Sequence, residues 1–211
     1  YELENTKLIK RMNKSFEEIY QYFTKINFTT KDEYKRLNNT YYNLIAMHYE
    51  SFLMQIEYNK FSSAIVLSRT ILEIFIKSFY CGFIEKEKNI EVEYILSEKY
   101  KFPDFFKMLK ELDEYKDKSG AGFNGFFTQF SKQYLGTYEK LSLFTHGKGE
   151  YIRAFYKHDK LSFTNKQIYE VLNIFYKLFL HLSIYRLYMF CCFDEVKYFI
   201  EQFKVDLEDK V

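Results

Sequence analysis

Two groups of residues in this sequence have the types and spacing that chemistry on a charged substrate requires. The first is the row Tyr138, Ser142 and His146, in which successive members are four residues apart and would form one slowly turning stripe on a helix. Gly147 and Gly149 follow the histidine directly. A histidine there can transfer a proton, and the hydroxyl groups can position a substrate. The alternative is a histidine that only caps its helix.

The second group is an arginine and a glutamate inside a strongly apolar helical segment. Arg69 and Glu73 are spaced one helical turn apart among Ile, Leu, Val and Phe residues, and such a helix is expected to lie centrally in the fold. A buried Arg69 needs a carboxylate partner, and Glu73 is the obvious local one. The pair either fixes helix packing or opens onto a pocket, where Glu73 orients the guanidinium toward a phosphate.

A basic segment follows the histidine of the first group. Residues 146 to 166 contain five lysine or arginine residues against two acidic ones, a local charge of +3. Lys148, Arg153 and His158 belong to this segment, and the last two are spaced as Arg-x4-His. We expect a small hairpin near 150–163, or an irregular excursion. The segment either attracts an anion or is an ordinary exposed loop.

The elements that must position these residues are predicted to be helices. Apolar residues recur at helical spacing along almost the whole chain and strict alternation is nearly absent, which indicates an all-α bundle of six or seven helices. We expect one helical domain over residues 1–211. The predicted helices span about 4–27, 30–58, 62–86, 91–100, 103–118, 126–145 and a long segment after the Thr164–Gln167 capping pattern, with Asp194 capping a short terminal helix.

Composition and motifs exclude several functional classes. The net charge is only +2, so an anionic partner would have to be recognised by a local patch. "GAGFNG", residues 120–125, matches GxGxxG formally, but a charged helix precedes it where a dinucleotide site needs a strand, so we predict an interhelical loop. Walker A, HExxH, GxSxG and EF-hand patterns are missing, and we therefore expect no cofactor and no metal.

The cysteines and the most apolar stretch bear on location. Cys81, Cys191 and Cys192 are odd in number and form no CxxC pair, which favours a reducing cytoplasm over a disulfide framework. The stretch 168–193 is interrupted by charged residues and a histidine, so it falls short of a membrane span and predicts a buried helix. We expect neither a membrane segment nor a secretion signal.

The two motif segments together resemble a group of bacterial helical proteins related to the HEPN superfamily. Arg-x-x-x-Glu at 69–73 is followed by Tyr-x-x-Leu-Ser-x-x-x-His-Gly at 138–147, and the resemblance covers about residues 40–190. It implies an all-α domain, often a homodimer, that occurs in bacterial toxin and antiviral defence systems. In many members, an Arg-x4-6-His motif on a late helix forms a metal-independent ribonuclease site at the dimer interface.

This chain departs from that ribonuclease motif. Its Arg-x4-His, from Arg153 to His158, lies outside the predicted helices, and alanine replaces the polar residue that usually follows the arginine. In the subgroup that this chain resembles most, the positions that carry over are Arg69, Glu73, Ser142 and His146. The resemblance assigns them no chemical role.

Three functions are compatible with these observations. The first is metal-independent RNA cleavage, in which His146 moves a proton, Arg69 stabilises the charged phosphate and Glu73 orients Arg69. The residues expected to bind the RNA are Tyr138, Ser142, Lys148, Arg153 and His158. The second is a nucleotide-sensing or protein-interaction module of a defence complex. The third is a purely structural helical domain. The predicted partners are RNA or a nucleotide and a second copy of the chain.

Overall fold

A computed structural model of the protein describes residues 1–132, 141, 152–153, 156–157 and 163–208. The regular elements within these residues are all helical, which confirms the predicted all-α bundle. In chain order they are α1 (Glu2–Phe23), α2 (Glu33–Glu57), α3 (Phe61–Phe79) with a π-helical continuation (Tyr80–Glu85), α4 (Val92–Ile95), α5 (Phe105–Glu114), α6 (Gln129–Lys132), α7 (Asn165–Met189), α8 (Phe193–Gln202) and α9 (Lys204–Glu208).

The predicted hairpin near 150–163 is wrong at the positions that the structure describes. Residues 152–153 and 156–157 have helical backbone, and their side chains are exposed. Arg153 therefore lies on a helical turn instead of a strand. Arginine and lysine are good helix formers, and at Arg153 and Lys157 they occupy helical positions that face solvent.

Short polar residues start the long helices by satisfying the free N–H groups of the first turn. The Asp32 carboxylate accepts a hydrogen bond from the backbone N–H of the third residue of α2, at 2.9 Å, and Asp104 does the same for α5 at 3.1 Å. Thr164 and Gln167 form the predicted capping box of α7. The prediction for α8 is wrong, because Asp194 lies inside its first turn and does not cap it.

One large apolar cluster joins the long helices. α2 packs chiefly against α3, and α7 packs against α1, α2, α3 and α8. Aromatic rings fill much of this core; Tyr49 of α2, for example, stacks on Phe179 of α7 with a centroid distance of 4.4 Å. In the described part of the chain, no helix combines the length and the apolarity that crossing a membrane would require.

The predicted burial of the helix over 168–193 is confirmed, and α7 is more enclosed than α3, which was expected to lie centrally. Nearly every side chain of α7 between Ile168 and Met189 is buried, whereas α3 leaves Ser63, Val66 and Thr70 exposed on one side. α3 is therefore amphipathic, and its polar residues have a route to solvent. This matters for Arg69, which lies on α3 near that exposed side.

A close approach between Gly82 and Tyr185 fixes α3 relative to α7. Gly82 lies in the π-helical continuation, and a Cβ atom built on it would stand 1.7 Å from the hydroxyl oxygen of Tyr185. The Tyr185 ring cannot retreat, because it stacks on Phe79 with a centroid distance of 4.0 Å and its hydroxyl donates to the Ser78 carbonyl at 3.3 Å. Only glycine fits at this crossing.

Candidate functional site

Arg69 and Glu73 lie one turn apart on α3, and both are half-buried. The Glu73 carboxylate forms an ion pair with Lys77 at 2.8 Å, so Glu73 pairs along the helix in the opposite direction from the one expected. Lys77 also lies over the ring of Phe102, with 5.1 Å between its Nζ atom and the ring centroid. The carboxylate that was expected to serve Arg69 is therefore already neutralised by a lysine.

Most of the other predicted site residues lie outside the described part of the chain. They are Tyr138, Ser142, His146, Lys148 and His158, and their roles stay predictions. Arg153 is described: it is exposed on a helical turn, where it can reach an anion in solvent.

Leu141 is the one described residue within the Tyr-x-x-Leu-Ser-x-x-x-His-Gly motif. Its side chain is fully buried and belongs to the same apolar cluster as Ile71, Leu72 and Phe75 of α3. Leu141 therefore belongs to the common core of the bundle, which also includes the apolar residues of α3 on either side of Arg69.

A cavity of about 430 Å³ lies between the π-helical continuation of α3, the loop after α5 and α7. Its lining is mostly aromatic, and the rings are Phe79, Phe83, Tyr115, Phe123, Phe126, Tyr185 and Tyr188. His181, Asp117 and Gly122 also line it. Aromatic walls with a few polar groups are typical of sites for small planar molecules.

The segment "GAGFNG" forms one wall of this cavity, and it is an interhelical loop, as predicted. The Asp117 carboxylate accepts hydrogen bonds from the backbone N–H groups of Ser119 at 2.8 Å and Ala121 at 3.0 Å. Gly120 and Gly125 both have a φ of +84°, a conformation that glycine adopts without steric cost. Asp113 then holds the end of the loop by accepting from the backbone N–H groups of residues 127 and 128, at 3.0 and 2.7 Å.

His181 supplies the polar group of this cavity with a defined hydrogen-bonding role. Its Nδ1 atom lies 2.7 Å from the carbonyl oxygen of Lys177, so Nδ1 carries the proton and donates it. Burial lowers the pKa of His181, and the ring is therefore neutral at neutral pH. Nε2 is left as a hydrogen-bond acceptor among aromatic rings, with Phe126 at a centroid distance of 4.9 Å.

In an apolar helical stretch such as 168–193, a core or interface role is the default expectation for a histidine, and His181 instead lines this cavity. The signal was present, because His181, Tyr185 and Tyr188 recur at i, i+4 and i+7 and so share one face of α7. The row gives this face of a largely buried helix three side chains with polar tips. The spacing of these residues does not predict that the Gly-rich loop lies opposite this face of α7.

The lowered pKa of His181 predicts a specific dependence of stability on pH. Because the unfolded state has the ordinary pKa near 6.5 and binds more protons, the contribution of His181 is present above that pH and is lost as the pH falls toward the folded-state value. We expect the difference in unfolding free energy between the wild type and His181→Gln to shrink from pH 7.5 to pH 5.5, as measured by urea denaturation. A difference that is independent of pH would contradict this assignment.

The described residues form no metal centre. No group of three or more His, Cys, Asp or Glu residues in the described ranges is placed to hold a metal ion.

Comparisons with protein-family models, characterised proteins and solved structures find no match to this chain.

Proposed function

We propose that this chain is a HEPN-like domain of a bacterial toxin or antiviral defence system that cleaves RNA in the cytoplasm without a metal ion. The observation that carries the proposal is the shared core: Leu141 of one motif is buried in the same cluster as the α3 residues beside Arg69. The all-α bundle agrees with the architecture that the resemblance implies. A homodimer is part of the proposal, because sites of this family lie where two copies meet.

In the proposed reaction, His146 accepts the proton of an RNA 2′-hydroxyl group. The 2′-oxygen then forms a bond to the adjacent phosphorus, the bond from phosphorus to the 5′-oxygen breaks, and His146 returns the proton to that leaving oxygen. The products are a 2′,3′-cyclic phosphate and a 5′-hydroxyl end. Arg69 stabilises the negative charge that builds up on the phosphate oxygens in the transition state.

The remaining candidates hold the substrate and orient the arginine. Glu73 is assigned a positioning role: its Oε1 atom is paired with Lys77, and in the proposal the same carboxylate also attracts the guanidinium of Arg69, one turn away in the other direction. Arg153 suits a contact to an RNA phosphate because it is exposed. The other proposed RNA-binding residues are Tyr138, Ser142, Lys148 and His158.

The test is an RNA cleavage assay in the presence of EDTA with the wild type and an Arg69→Ala, His146→Ala double variant. The wild type is expected to degrade single-stranded RNA and to slow the growth of an expressing host. The double variant is expected to do neither while it unfolds at a similar temperature. If the two proteins are equally inactive and equally harmless, the chain is not a metal-independent ribonuclease.

A nucleotide-sensing module is the second candidate, and the aromatic cavity favours it. A base could stack on an exposed ring such as Tyr188, and the Nε2 atom of His181 could accept a hydrogen bond from an exocyclic amine. We expect adenosine or AMP to raise the unfolding temperature of the wild type. The increase should be lost in Tyr188→Ala, whose side chain is 47% exposed and can be removed without opening the core.

A control variant and two possible outcomes decide whether nucleotides bind in the aromatic cavity. His48→Ala alters a half-buried histidine of α2 that does not line the aromatic cavity, and it should leave the ligand-induced increase unchanged. An increase that survives in Tyr188→Ala, or no increase with either ligand, would exclude nucleotide binding in this cavity.

A further inference from the structure

Arg186 is a buried cation in the last turn of α7. Its side chain is enclosed by three aromatic rings, and the residue is only 8% exposed. The guanidinium carbon lies 3.7 Å from the ring centroid of Phe28, 4.2 Å from that of Tyr42 and 5.1 Å from that of Phe23. The faces of these rings attract a cation and replace part of its lost hydration.

The hydrogen bonds of Arg186 are incomplete among the described residues. Its Nη2 atom donates to the side-chain oxygen of Asn39 at 2.5 Å, whereas its Nε atom is buried and has no hydrogen-bond partner in the described ranges. Among the described residues, Tyr42 favours the charged form of Arg186, and no carboxylate does so. Burying a cation without a carboxylate partner costs free energy. An anion that binds such a cation therefore gains more free energy than it would at the protein surface.

Arg186 lines a cavity of about 520 Å³ between α1, α2 and α7. Apolar groups such as Phe16, Met47 and Phe179 form part of the walls. Glu17 and Glu50, from two different helices, also line the cavity, and both are exposed. The cavity therefore combines a buried positive group, apolar walls and two carboxylates that face water.

We propose that this cavity binds a small zwitterion of the amino acid class, with its carboxylate on Arg186 and its ammonium group between Glu17 and Glu50. The planar guanidinium fits a carboxylate through two parallel hydrogen bonds. Glu17 and Glu50 would repel a polyanion such as a nucleoside triphosphate, whereas a ligand with both charges is attracted at both ends. The volume lies within the usual range for small-molecule sites.

The binding test uses the purified chain and a series of zwitterions that differ in charge separation and apolar surface. Glycine, leucine, 4-aminobutyrate and 6-aminohexanoate are titrated in turn, and acetate and butylamine serve as ligands with a single charge. At least one zwitterion is expected to bind by calorimetry and to raise the unfolding temperature. Acetate and butylamine should bind about tenfold more weakly or not at all, since each lacks one of the two charged contacts.

Two variants separate the proposed contacts. Arg186→Met should weaken binding of the best zwitterion by about ten- to hundredfold. A Glu17→Gln, Glu50→Gln double variant should weaken binding of that zwitterion by about tenfold and should not weaken binding of acetate. The double variant changes exposed residues only, so it keeps the test decisive if Arg186→Met does not fold. Glu93→Gln, on the exposed side of α4, is the matched control and should change nothing.

Several outcomes would overturn the assignment. Binding of acetate as tight as that of the zwitterions would make the cavity a simple anion site, and binding that both variants leave unchanged would place the ligand elsewhere. No binding by any zwitterion would leave Arg186 as a structural cation held by aromatic rings. The assay uses no RNA, so its result does not depend on whether the chain is a ribonuclease.

Discussion

His146→Ala is expected to slow RNA cleavage in EDTA by about two to four orders of magnitude, which is the usual contribution of a general acid–base group. Arg69→Ala is expected to lower the rate of RNA cleavage by about two to three orders of magnitude, because it removes a charge that stabilises the transition state. Arg69→Lys keeps the charge but loses the planar fork, so its rate should lie between those of the wild type and the alanine variant. Rates are measured on a labelled single-stranded RNA under single-turnover conditions.

Matched controls separate catalysis from folding. Arg36→Ala removes an exposed arginine of α2, and His48→Ala removes a half-buried histidine of the same helix. Both should cleave RNA at the wild-type rate. Unfolding temperatures identify any variant that is inactive because it is unstable. If Arg69→Ala unfolds at a much lower temperature while His146→Ala retains full activity, Arg69 and His146 have structural roles only.

Gly82→Ala is expected to destabilise the protein, although alanine is the better helix former by about 1 kcal/mol. The new Cβ atom would stand 1.7 Å from the hydroxyl oxygen of Tyr185, and the stacked Phe79 blocks the ring from moving away. Overpacking of this kind costs about 1–3 kcal/mol. For a chain of this size, that cost lowers the unfolding temperature by roughly 2–12 °C. Calorimetric unfolding measures the change.

A double variant assigns the cost of Gly82→Ala to this contact. Tyr185→Phe removes the hydroxyl group that the new Cβ atom would meet, so it should recover part of the stability lost in Gly82→Ala. Tyr185→Phe alone gives up the long hydrogen bond to the Ser78 carbonyl and should have a smaller effect than Gly82→Ala. Purely additive effects, or a Gly82→Ala protein more stable than the wild type, would show that the crossing tolerates a side chain.

Helix type and helix starts could be predicted from the sequence because local interactions decide them. The capping box of Thr164 and Gln167 needs only residues three apart, and its backbone partners lie in the same turn. The loop at "GAGFNG" was predictable for the same reason, since Gly120 and Gly125 take positive φ values that other residues avoid. The prediction that Asp194 caps α8 was wrong because an acidic residue suits both the cap and the first turn of a helix.

The partner of Glu73 follows a local preference that the expected pair with Arg69 did not take into account. Glu73 has a basic residue one turn away on each side, Arg69 and Lys77, and the order with the glutamate N-terminal to the basic residue is the more favourable one. The relative enclosure of α3 and α7 could not be predicted, because both are rich in apolar residues but only α7 has neighbours on nearly all sides.

The two cavities were beyond sequence reasoning because each joins residues distant along the chain. Arg186 meets Phe23 and Phe28 across more than 150 positions, and no local pattern marks such a contact. His181 meets Phe126 of the loop after α5 in the same way. Of the residues predicted for the site, Arg69, Glu73 and Arg153 lie in the described part of the chain, and Leu141 of the second motif is buried in the core.

The end groups of the RNA products test the proposed reaction most directly. A defined single-stranded RNA is incubated with the wild-type chain in EDTA, and its fragments are analysed by mass spectrometry. Attack by the 2′-hydroxyl group predicts 2′,3′-cyclic phosphate ends paired with 5′-hydroxyl ends, and no fragments with the His146→Ala variant. Fragments with 5′-phosphate and 3′-hydroxyl ends, or RNA that stays intact with the wild type, would contradict metal-independent cleavage by this chain.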